Sequence, residues 1–315
     1  MEKEQWCLAV PKREAEGTRR RLLEEGLLDR GLRPRPEGDA ILFPVTEEVP
    51  GAVRCEFQAV PERVDLPRHE LVGGIAIMQE NDPAGAERLL ASRPSLETVL
   101  FPETAVEGEY RTRRFSVLAG VPTTRTRVTE YGHSFDVDLS LAYFSARLST
   151  ERQRVLGAME EGERVLDMFA GVGPFAITLA RRAALVVAAD LNPDAVHLLV
   201  HNIALNHTGN VIPMLADAGH LPRLGFSPFD RIVMNLPLAA PEFLPAAAAL
   251  CRDGGTIHLY ALQEREGEYL PLIREVTQGE VAERQVRTYS PGKWHAVYDI
   301  TVEKAVSGVQ PLHLQ

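Results

Sequence analysis

One stretch constrains the fold of this 315-residue chain more than any other, VLDMFAGVGPFAITLA at 165–180. An apolar run ends on Asp167, a Gly171-Val172-Gly173 turn follows, and Pro174 opens a segment with helical apolar period. Proline suits a first helical position because its missing N–H would have no partner there. The pattern predicts a buried strand, a glycine turn and a helix, which is how open α/β sheets offer backbone to a ligand. A third glycine is absent, so the stretch is not the dinucleotide fingerprint.

The alternation of strand and helix patterns continues from this stretch to residue 302. It predicts helices at 174–182, 192–206 and 243–250, and strands at 164–167, 185–190, 211–215, 229–234, 254–260, 281–289 and 294–302. Such alternation is typical of an α/β fold with a parallel, doubly wound sheet. The Ser290-Pro291-Gly292 turn predicts that the last strand is antiparallel.

Two smaller α/β domains are predicted before this sheet. The first covers 1–55, with strands at 5–13 and 41–45 around a helix in 14–28. The second covers 56–134, with strands at 71–78 and 99–101 and a helix at 83–91. The doubly wound domain then occupies 135–305, and 306–315 form a tail.

Composition excludes several classes of protein. The net charge is −10, and no apolar run approaches membrane-spanning length. The N-terminus lacks a signal-peptide core, so we expect a cytoplasmic protein with no membrane partner. The acidic balance disfavours non-specific coating of nucleic acid, but it allows a local basic patch. Cys7, Cys55 and Cys251 lack metal-ligand spacing, so we expect reduced thiols and no metal site.

A basic segment at 111–127 stands out in this acidic chain because it contains no acid. Its arginines are Arg111, Arg113, Arg114, Arg125 and Arg127. Two strands around a Val121-Pro122 turn would place several guanidinium groups on one face, suited to phosphates and bases. The segment alone leaves two explanations open, nucleic-acid contact and a hairpin of ordinary surface arginines.

Four polar residues follow successive predicted strands: Asp167, Asp190, Asp217 and Asn235. A crevice at the carboxyl ends of the strands would collect them around one ligand. Asp190 stands 23 residues after Asp167, a spacing suited to an acid that binds ribose hydroxyls. Asp217 is positioned to accept from the exocyclic amine of an adenine. The alternative is that each acid only ends a strand, as acids often do in α/β proteins.

The Asn235-Leu236-Pro237 segment offers an amide toward this crevice, with both a donor and an acceptor for a planar nucleobase edge. The related base-methylating motif Asn-Pro-Pro-Tyr adds a stacking aromatic, which Leu238 replaces here. Tyr143 and Phe144 are the candidates to supply the stacking instead.

Glu151 lies at the start of a predicted helix. Thr150 and Gln153 match a T-x-x-Q capping box, so spacing alone explains Glu151 as a first-turn acid.

Taken together, several motifs resemble one family. These are YFSARLSTER (143–152), DMFAGVGPF (167–175), DLNP (190–193) and MNLP (234–237). The combination is similar to the archaeal and eukaryotic tRNA (guanine-N1)-methyltransferases that act at position 37, which are class I methyltransferases dependent on S-adenosylmethionine. The resemblance covers nearly the whole chain, including the 108–111 segment, and Ala146 departs from the usual proline.

The resemblance implies roles for individual residues. Glu151 matches the proposed base that removes the guanine N1 proton, Arg111 the residue that stabilises O6, Asn235 the residue that positions the base, and Tyr143 a tyrosine of the site. Tyr143 has an alternative as a buried aromatic packed on Leu148. The implied cofactor residues are Asp167, Phe169, Gly171, Gly173, Asp190, Leu191, Asp217 and Asn235.

The resemblance also implies a tRNA partner, bound at its anticodon loop and its elbow. We further expect the protein to be a monomer. The implied RNA contacts are Arg113, Arg114, Arg125, Arg127, Arg147 and Arg152. Two alternatives stay open. One is a wybutosine-pathway transferase, moving an aminocarboxypropyl group or methylating an imidazo-guanosine, and the other is a silent tRNA-binding protein.

Overall fold

The first compact unit is an antiparallel sheet with one helix. A computed structural model describes residues 2–60, 66–105, 108 and 110–304, and this unit comprises residues 2–60. Its elements are β1 (Glu2–Pro11), α1 (Ala15–Glu24), β2 (Arg35–Glu37), β3 (Ala40–Val45) and β4 (Val53–Gln58), in the sheet order β2-β3-β1-β4. The predicted boundary at residue 55 is wrong, because it would cut β4, which pairs with β1 as far as Gln58.

The second unit comprises the described residues from 66 on and begins with a four-stranded sheet. Its elements are β5 (His69–Val72), β6 (Ile75–Met78), α2 (Pro83–Ser92), β7 (Thr98–Pro102) and β8 (Phe115–Gly120), in the order β5-β6-β7-β8. The single strand expected at 71–78 is instead a hairpin. Gly73 turns the chain with a φ of 55°, and a Cβ at this position would collide with the Arg127 carbonyl.

A separate hairpin follows, formed by β9 (Arg125–Glu130) and β10 (His133–Asp138). The expected pairing of two basic strands around Val121-Pro122 is therefore wrong, because β8 pairs with β7 and β9 pairs with β10. The domain boundary predicted after residue 134 is also wrong, since it falls inside β10.

The doubly wound sheet is confirmed. Its elements are α3 (Ser149–Gly157), β11 (Glu163–Asp167), α4 (Pro174–Leu179), β12 (Ala183–Asp190), α5 (Pro193–Leu205), β13 (Val211–Leu215), β14 (Phe229–Met234), α6 (Leu244–Leu250), β15 (Cys251–Gln263), α7 (Leu270–Val276), β16 (Val281–Ser290) and β17 (Lys293–Thr301). The strand order is β13-β12-β11-β14-β15-β17-β16. The first five strands are parallel, and β17 runs antiparallel to both of its neighbours, as the turn at 290–292 predicts.

The strand order reverses at β11, which lies between β12 and β14. In open α/β sheets a ligand crevice forms at such a reversal, outside the carboxyl ends of the strands. This edge therefore carries Asp167, Asp190 and Asn235 together.

Apolar side chains pack on both faces of the large sheet. Leu166, Ile232 and Tyr298 belong to a core that includes residues of α6 and α7. Val165 and Tyr260 belong to a core on the opposite face with residues of α3 and α4.

A third core joins the four-stranded sheet to the doubly wound domain. It contains Val72 and Leu100 from that sheet, Phe135 from β10 and Ile177 from α4. Because these elements share one buried core, the middle segment is not an independent domain. None of the helices in the described ranges is long and apolar enough to cross a membrane.

Candidate active site at the carboxyl edge of the sheet

The glycine turn places backbone at the sheet edge in a conformation that other residues rarely adopt. Gly171 has a φ of 55° and Gly173 a φ of 94°. A Cβ at Gly173 would also collide with the Leu199 side chain. Pro174 then begins α4, as the sequence predicts. The turn is left open to a ligand because a Cβ at Gly171 would meet only the Tyr143 carbonyl, at 3.6 Å.

Asp167, at the end of β11, is a buried carboxylate without a hydrogen-bond partner. Its side chain is 1% exposed, and neither oxygen is hydrogen bonded within the part of the chain that the structure describes. Burial raises the pKa of Asp167 to about 7, and the nearby charge of Asp190 adds to this rise. The backbone N–H groups of Phe169 and Ala176 oppose the rise, although neither makes a hydrogen bond of standard geometry. A buried carboxylate of this kind suits a cationic ligand group.

Asp190, at the end of β12, holds the glycine turn against the neighbouring strand. Its two oxygens accept from the backbone N–H of Gly171 at 2.7 Å and of Asn192 at 2.9 Å. Burial raises the pKa of the Asp190 carboxyl. Each oxygen keeps a lone pair for a further donor, such as a ribose hydroxyl. Leu191, 39% exposed, follows it at the crevice edge.

Asp217 follows β13 and accepts from the Gly219 N–H at 2.8 Å, which starts the 3-10 helix Ala218–Leu224. Its half-exposed carboxylate therefore has a structural role and still faces solvent. Phe169 packs edge-on against Phe243, with ring centroids 5.3 Å apart.

Asn235 follows β14 and has a buried amide oxygen with no hydrogen-bond partner among the described residues. Because Met234 on β14 pairs with Leu259 on β15, Asn235, the residue that follows β14, lies beside Tyr260 on β15.

Glu151 lies over Tyr260 and is only 8% exposed. Its Oε1 accepts from the Tyr260 hydroxyl at 3.0 Å and from Arg154 Nε at 2.7 Å. The other oxygen, Oε2, accepts no hydrogen bond from any residue in the described ranges. Burial, with the Glu151 charge, raises the pKa of Tyr260 well above its ordinary value, so its hydroxyl remains a donor. One carboxylate oxygen is thus fixed and the other is available to a substrate.

The predicted capping box does not form. A 3-10 helix, Ala146–Leu148, leads into α3, whose N-cap is Leu148 and makes no side-chain hydrogen bond. Glu151 is consequently directed to Tyr260 and Arg154 rather than to the helix terminus. The spacing of residues around Glu151 indicates neither partner, because Tyr260 is 109 residues away and Arg154 lies outside the capping box.

Arg154 is part of a partly buried chain of polar side chains that extends away from Glu151. Its guanidinium donates to both oxygens of Asp299, at 2.7 and 3.1 Å. His258 Nδ1 contacts Asp299 at 2.5 Å, and its Nε2 accepts from Arg231 at 2.7 Å, which identifies a neutral imidazole protonated at Nδ1. Burial alone would raise the pKa of Asp299, but the His258 and Arg154 hydrogen bonds lower it to about 2. The charged Asp299 therefore fixes Arg154 beside Glu151.

The prediction that Arg152 contacts RNA is wrong. It is 1% exposed, and its guanidinium donates to both oxygens of Glu130 on β9. The guanidinium also lies 5.8 Å from the ring centroid of Phe175. A buried, paired guanidinium cannot reach RNA, so Arg152 instead ties the β9–β10 hairpin to α3.

Tyr143 and Phe144, the two aromatic residues predicted to stack on a substrate, differ in exposure. Tyr143 is 44% exposed, so its alternative as a buried aromatic is wrong. Phe144 is buried, 6.3 Å from the Phe135 ring, and cannot stack on a substrate.

The remaining arginines differ in how fully their charges are paired. Arg125 and Arg127 are exposed but bind Asp138 and Asp136 of β10, at 3.0 and 2.6 Å. Arg147 pairs with Glu70 at 3.0 Å. Two of the five arginines in the acid-free run, Arg125 and Arg127, are therefore neutralised by acids on the neighbouring strand.

Arg113 and Arg114 line a surface cavity of about 630 Å³, together with Thr124 and Ser140. Arg111 precedes them in a left-handed conformation, with a φ of 52°. Its side chain makes no hydrogen bond or ion pair with a described residue. Within the described ranges, no group of three or more His, Cys, Asp or Glu side chains is arranged to hold a metal ion.

The strand order, the glycine turn and the acids at successive strand ends define a class I methyltransferase fold that uses S-adenosylmethionine. A family model described as the TRM5/TYW2 methyltransferase domain matches residues 126–284, and one described as the tRNA methyltransferase 5 N-terminal domain matches 7–53. The chain belongs to the TRM5/TYW2 methyltransferase family.

Individual relatives cover nearly the whole chain. The tRNA (guanine(37)-N(1))-methyltransferase Trm5b of Pyrococcus abyssi is 36% identical over 94% of this chain and 98% of its own. A crystal structure of Trm5b from that organism aligns with a TM-score of 0.75 over 95% of this chain and 100% of its own.

Two further solved structures are similar. The complex of aTrm5 with tRNALeu has a TM-score of 0.72 and 28% identity, covering 95% of this chain and 100% of that one. TYW2 of M. jannaschii in complex with AdoMet has a TM-score of 0.58 and 27% identity. It is matched over its whole length but covers only 76% of this chain.

Proposed function

We propose that this protein transfers a methyl group from S-adenosylmethionine to N1 of guanosine 37 in tRNA. The observation that carries the proposal is the buried Glu151 carboxylate, with one oxygen anchored on Tyr260 and the other available. Asn235 lies beside Tyr260 in the strand register, and its amide oxygen has no hydrogen-bond partner among the described residues. Relatives that match nearly the full chain are named for this reaction.

The residues at the glycine turn fit the cofactor. The Asp167 carboxylate, which has no hydrogen-bond partner within the described ranges, suits the ammonium of its methionine portion. The Asp190 oxygens suit the two ribose hydroxyls. Phe169, Leu191 and Asp217 are proposed to contact the remainder of the nucleoside. When bound, S-adenosylmethionine supplies an electrophilic methyl group on a sulfonium centre.

Glu151 is proposed to remove the proton from guanine N1. Guanine N1 is a poor nucleophile while protonated, so transfer requires a base within hydrogen-bond reach. Oε2 is the oxygen proposed to accept this proton, because Oε1 is held by Tyr260 and Arg154. Negative charge then develops on O6 of the base.

Other residues are proposed to bind and polarise the guanine. The Asn235 amide can accept from the base edge through its unpartnered oxygen. Arg111 is proposed to donate to O6, where a cationic donor stabilises developing charge. Tyr143, exposed near the glycine turn, is proposed to contact the base.

Arg113 and Arg114 are proposed to contact the tRNA backbone, since they line the cavity in the loop that follows Arg111. We also propose tRNA contacts for three arginines that already have an acidic partner, Arg125, Arg127 and Arg147. We propose that binding includes the anticodon loop, and that the first unit contacts the tRNA elbow. A monomeric state and a cytoplasmic location remain predictions.

One observation supports methyl transfer over the wybutosine alternative, and a second supports it over a silent tRNA-binding protein. The TYW2 structure has no counterpart for about a quarter of this chain, whereas the Trm5b relatives match nearly all of it. Glu151, Arg111 and Asn235 are all present, which argues against a silent binder.

Glu151→Gln tests the proposed base. The variant is expected to bind cofactor and tRNA normally and to lose about 10²–10⁴-fold in single-turnover methyl transfer, the usual contribution of a general base. The matched control is Glu160→Gln, an exposed glutamate just beyond α3. Unchanged turnover in Glu151→Gln would remove its role as base.

A further inference from the structure

The β16–β17 hairpin turn lies on the same edge of the sheet as the cofactor crevice. Trp294, near the start of β17, pairs with Gln263, the last residue of β15. Because β15 is parallel to β14, its carboxyl end shares an edge with Asp167 and Asn235. The hairpin turn therefore borders the active-site edge.

One face of this hairpin continues the surface that carries Glu151. Tyr260, which binds Glu151, pairs with Val297 on β17. His295 lies two residues from Val297 toward the active-site edge, a separation of about 7 Å along a strand. Residues two apart share a face, so His295 points to the Glu151 side of the sheet.

On this face, Tyr289 and His295 form a stacked pair. Their ring centroids are 5.5 Å apart and their planes differ by 16°. His295 is 6% exposed, whereas Tyr289 is 58% exposed, so the outer ring is presented to solvent on a buried support. The register shifts between Thr288 and Ser290, which makes Tyr289 a bulged residue. Bulges near active sites commonly redirect a side chain in this way.

Arg287 strengthens this arrangement. Its Nε donates to His295 Nδ1 at 3.2 Å, and burial together with Arg287 lowers the pKa of His295 to about 4. The imidazole is therefore neutral at physiological pH and supports both Tyr289 and Arg287.

Arginines on the same face supply positive charge. Arg284 pairs across the ladder with Val297, is exposed, and has no ion-pair partner within the described ranges. Glu283 lies on the opposite face, where it binds Gln263. Lys293 lies near Tyr289, but its charge is paired with that of Glu264.

We infer that Tyr289, supported by His295 and Arg287, is a stacking platform for an unpaired tRNA base next to the target guanosine. Base stacking on an exposed aromatic ring, with guanidinium groups for the adjacent phosphates, is the usual way proteins bind unpaired nucleotides. The platform supplies a stacking surface at the active-site edge, where the Asn235-Leu236-Pro237 segment has none. This inference rests on the proposed function.

Tyr289→Ala and Tyr289→Phe test the platform in the full-length protein. The probes are two tRNA transcripts carrying 2-aminopurine at position 36 or 38. For one of these two tRNAs, binding to the wild type or to Tyr289→Phe is expected to quench the 2-aminopurine fluorescence. Binding to Tyr289→Ala is expected to leave that fluorescence unquenched. Tyr289→Ala is expected to bind tRNA about tenfold more weakly, with unchanged affinity for S-adenosylmethionine and an unchanged melting temperature. An abasic nucleotide at the same position is expected to abolish the difference between Tyr289→Ala and the wild type.

The outcomes separate this inference from the proposed function. If the wild type methylates guanosine 37 and Tyr289→Ala binds the tRNA equally well, the platform is refuted and the proposed function stands. If Tyr289→Phe loses as much affinity as Tyr289→Ala, the hydroxyl rather than the ring makes the contact, and stacking is refuted. If the wild type neither binds nor methylates tRNA, both proposals fail.

Discussion

The buried Asp167 carboxyl should lower the stability of the protein without cofactor and raise its affinity for S-adenosylmethionine. The variant Asp167→Asn allows the two effects to be measured separately. Folding moves the pKa of Asp167 from its ordinary 3.8 to about 7, because the carboxyl is buried. The folded state therefore retains a proton that the unfolded state loses, and stability falls as the pH rises through this interval. At about 1.4 kcal/mol per pKa unit, the rise in pKa lowers the free energy of unfolding by roughly 4 kcal/mol above pH 7. Structural relaxation around the ionised carboxylate makes this loss smaller. We therefore expect Asp167→Asn to raise the free energy of unfolding by about 2–4 kcal/mol at pH 8.

Urea unfolding between pH 4 and pH 8 measures this effect, with Asp194→Asn as the control at an exposed aspartate. The gain in Asp167→Asn should shrink as the pH is lowered toward 4, because the wild-type carboxyl then carries its proton in the folded state and is also partly protonated in the unfolded state. Calorimetry should show S-adenosylmethionine binding weakened by at least tenfold, because the charged partner of its ammonium is lost. An Asp167→Asn protein that is less stable than the wild type at pH 8, or that binds the cofactor unchanged, would refute this reasoning.

Two further variants test the geometry of the site. Tyr260→Phe removes the hydroxyl that holds Glu151 Oε1 and should slow single-turnover transfer about tenfold without changing tRNA affinity, whereas an unchanged rate would show that Arg154 alone positions the base. Gly173→Ala forces a side chain into a φ of 94° and should lower the free energy of unfolding by about 1–2 kcal/mol, measured in urea. Gly157 has open space around it, so Gly157→Ala should lower the free energy of unfolding by less than Gly173→Ala. Equal losses in the two variants would contradict the expected backbone strain at Gly173.

Local signals were sufficient to predict the doubly wound sheet. The Gly171-Val172-Gly173 turn, Pro174 at the start of α4 and Asn192 at the start of α5 each specify a backbone conformation through neighbouring residues. Asn192, for example, accepts from the Asp194 N–H at 3.0 Å and begins α5 where predicted. The acids at the strand ends followed from the alternation of elements.

Partners distant in sequence could not be predicted in the same way. Tyr260 is 109 residues from Glu151, and Asp299 is 145 residues from Arg154, so only the strand order brings them together. Arg125 and Arg127 form part of an acid-free run in sequence, yet strand pairing places Asp138 and Asp136 directly opposite them. Charge along the sequence therefore overstated the basic surface, because register decides which charges are neighbours.

Product identification on two tRNA transcripts tests the central claim most directly. The transcripts differ only in guanosine or adenosine at position 37, and the labelled nucleoside is identified after transfer from labelled S-adenosylmethionine. We expect label in the guanosine transcript alone, recovered as 1-methylguanosine. Label in both transcripts, label in another nucleoside, or cofactor binding without any transfer would contradict it.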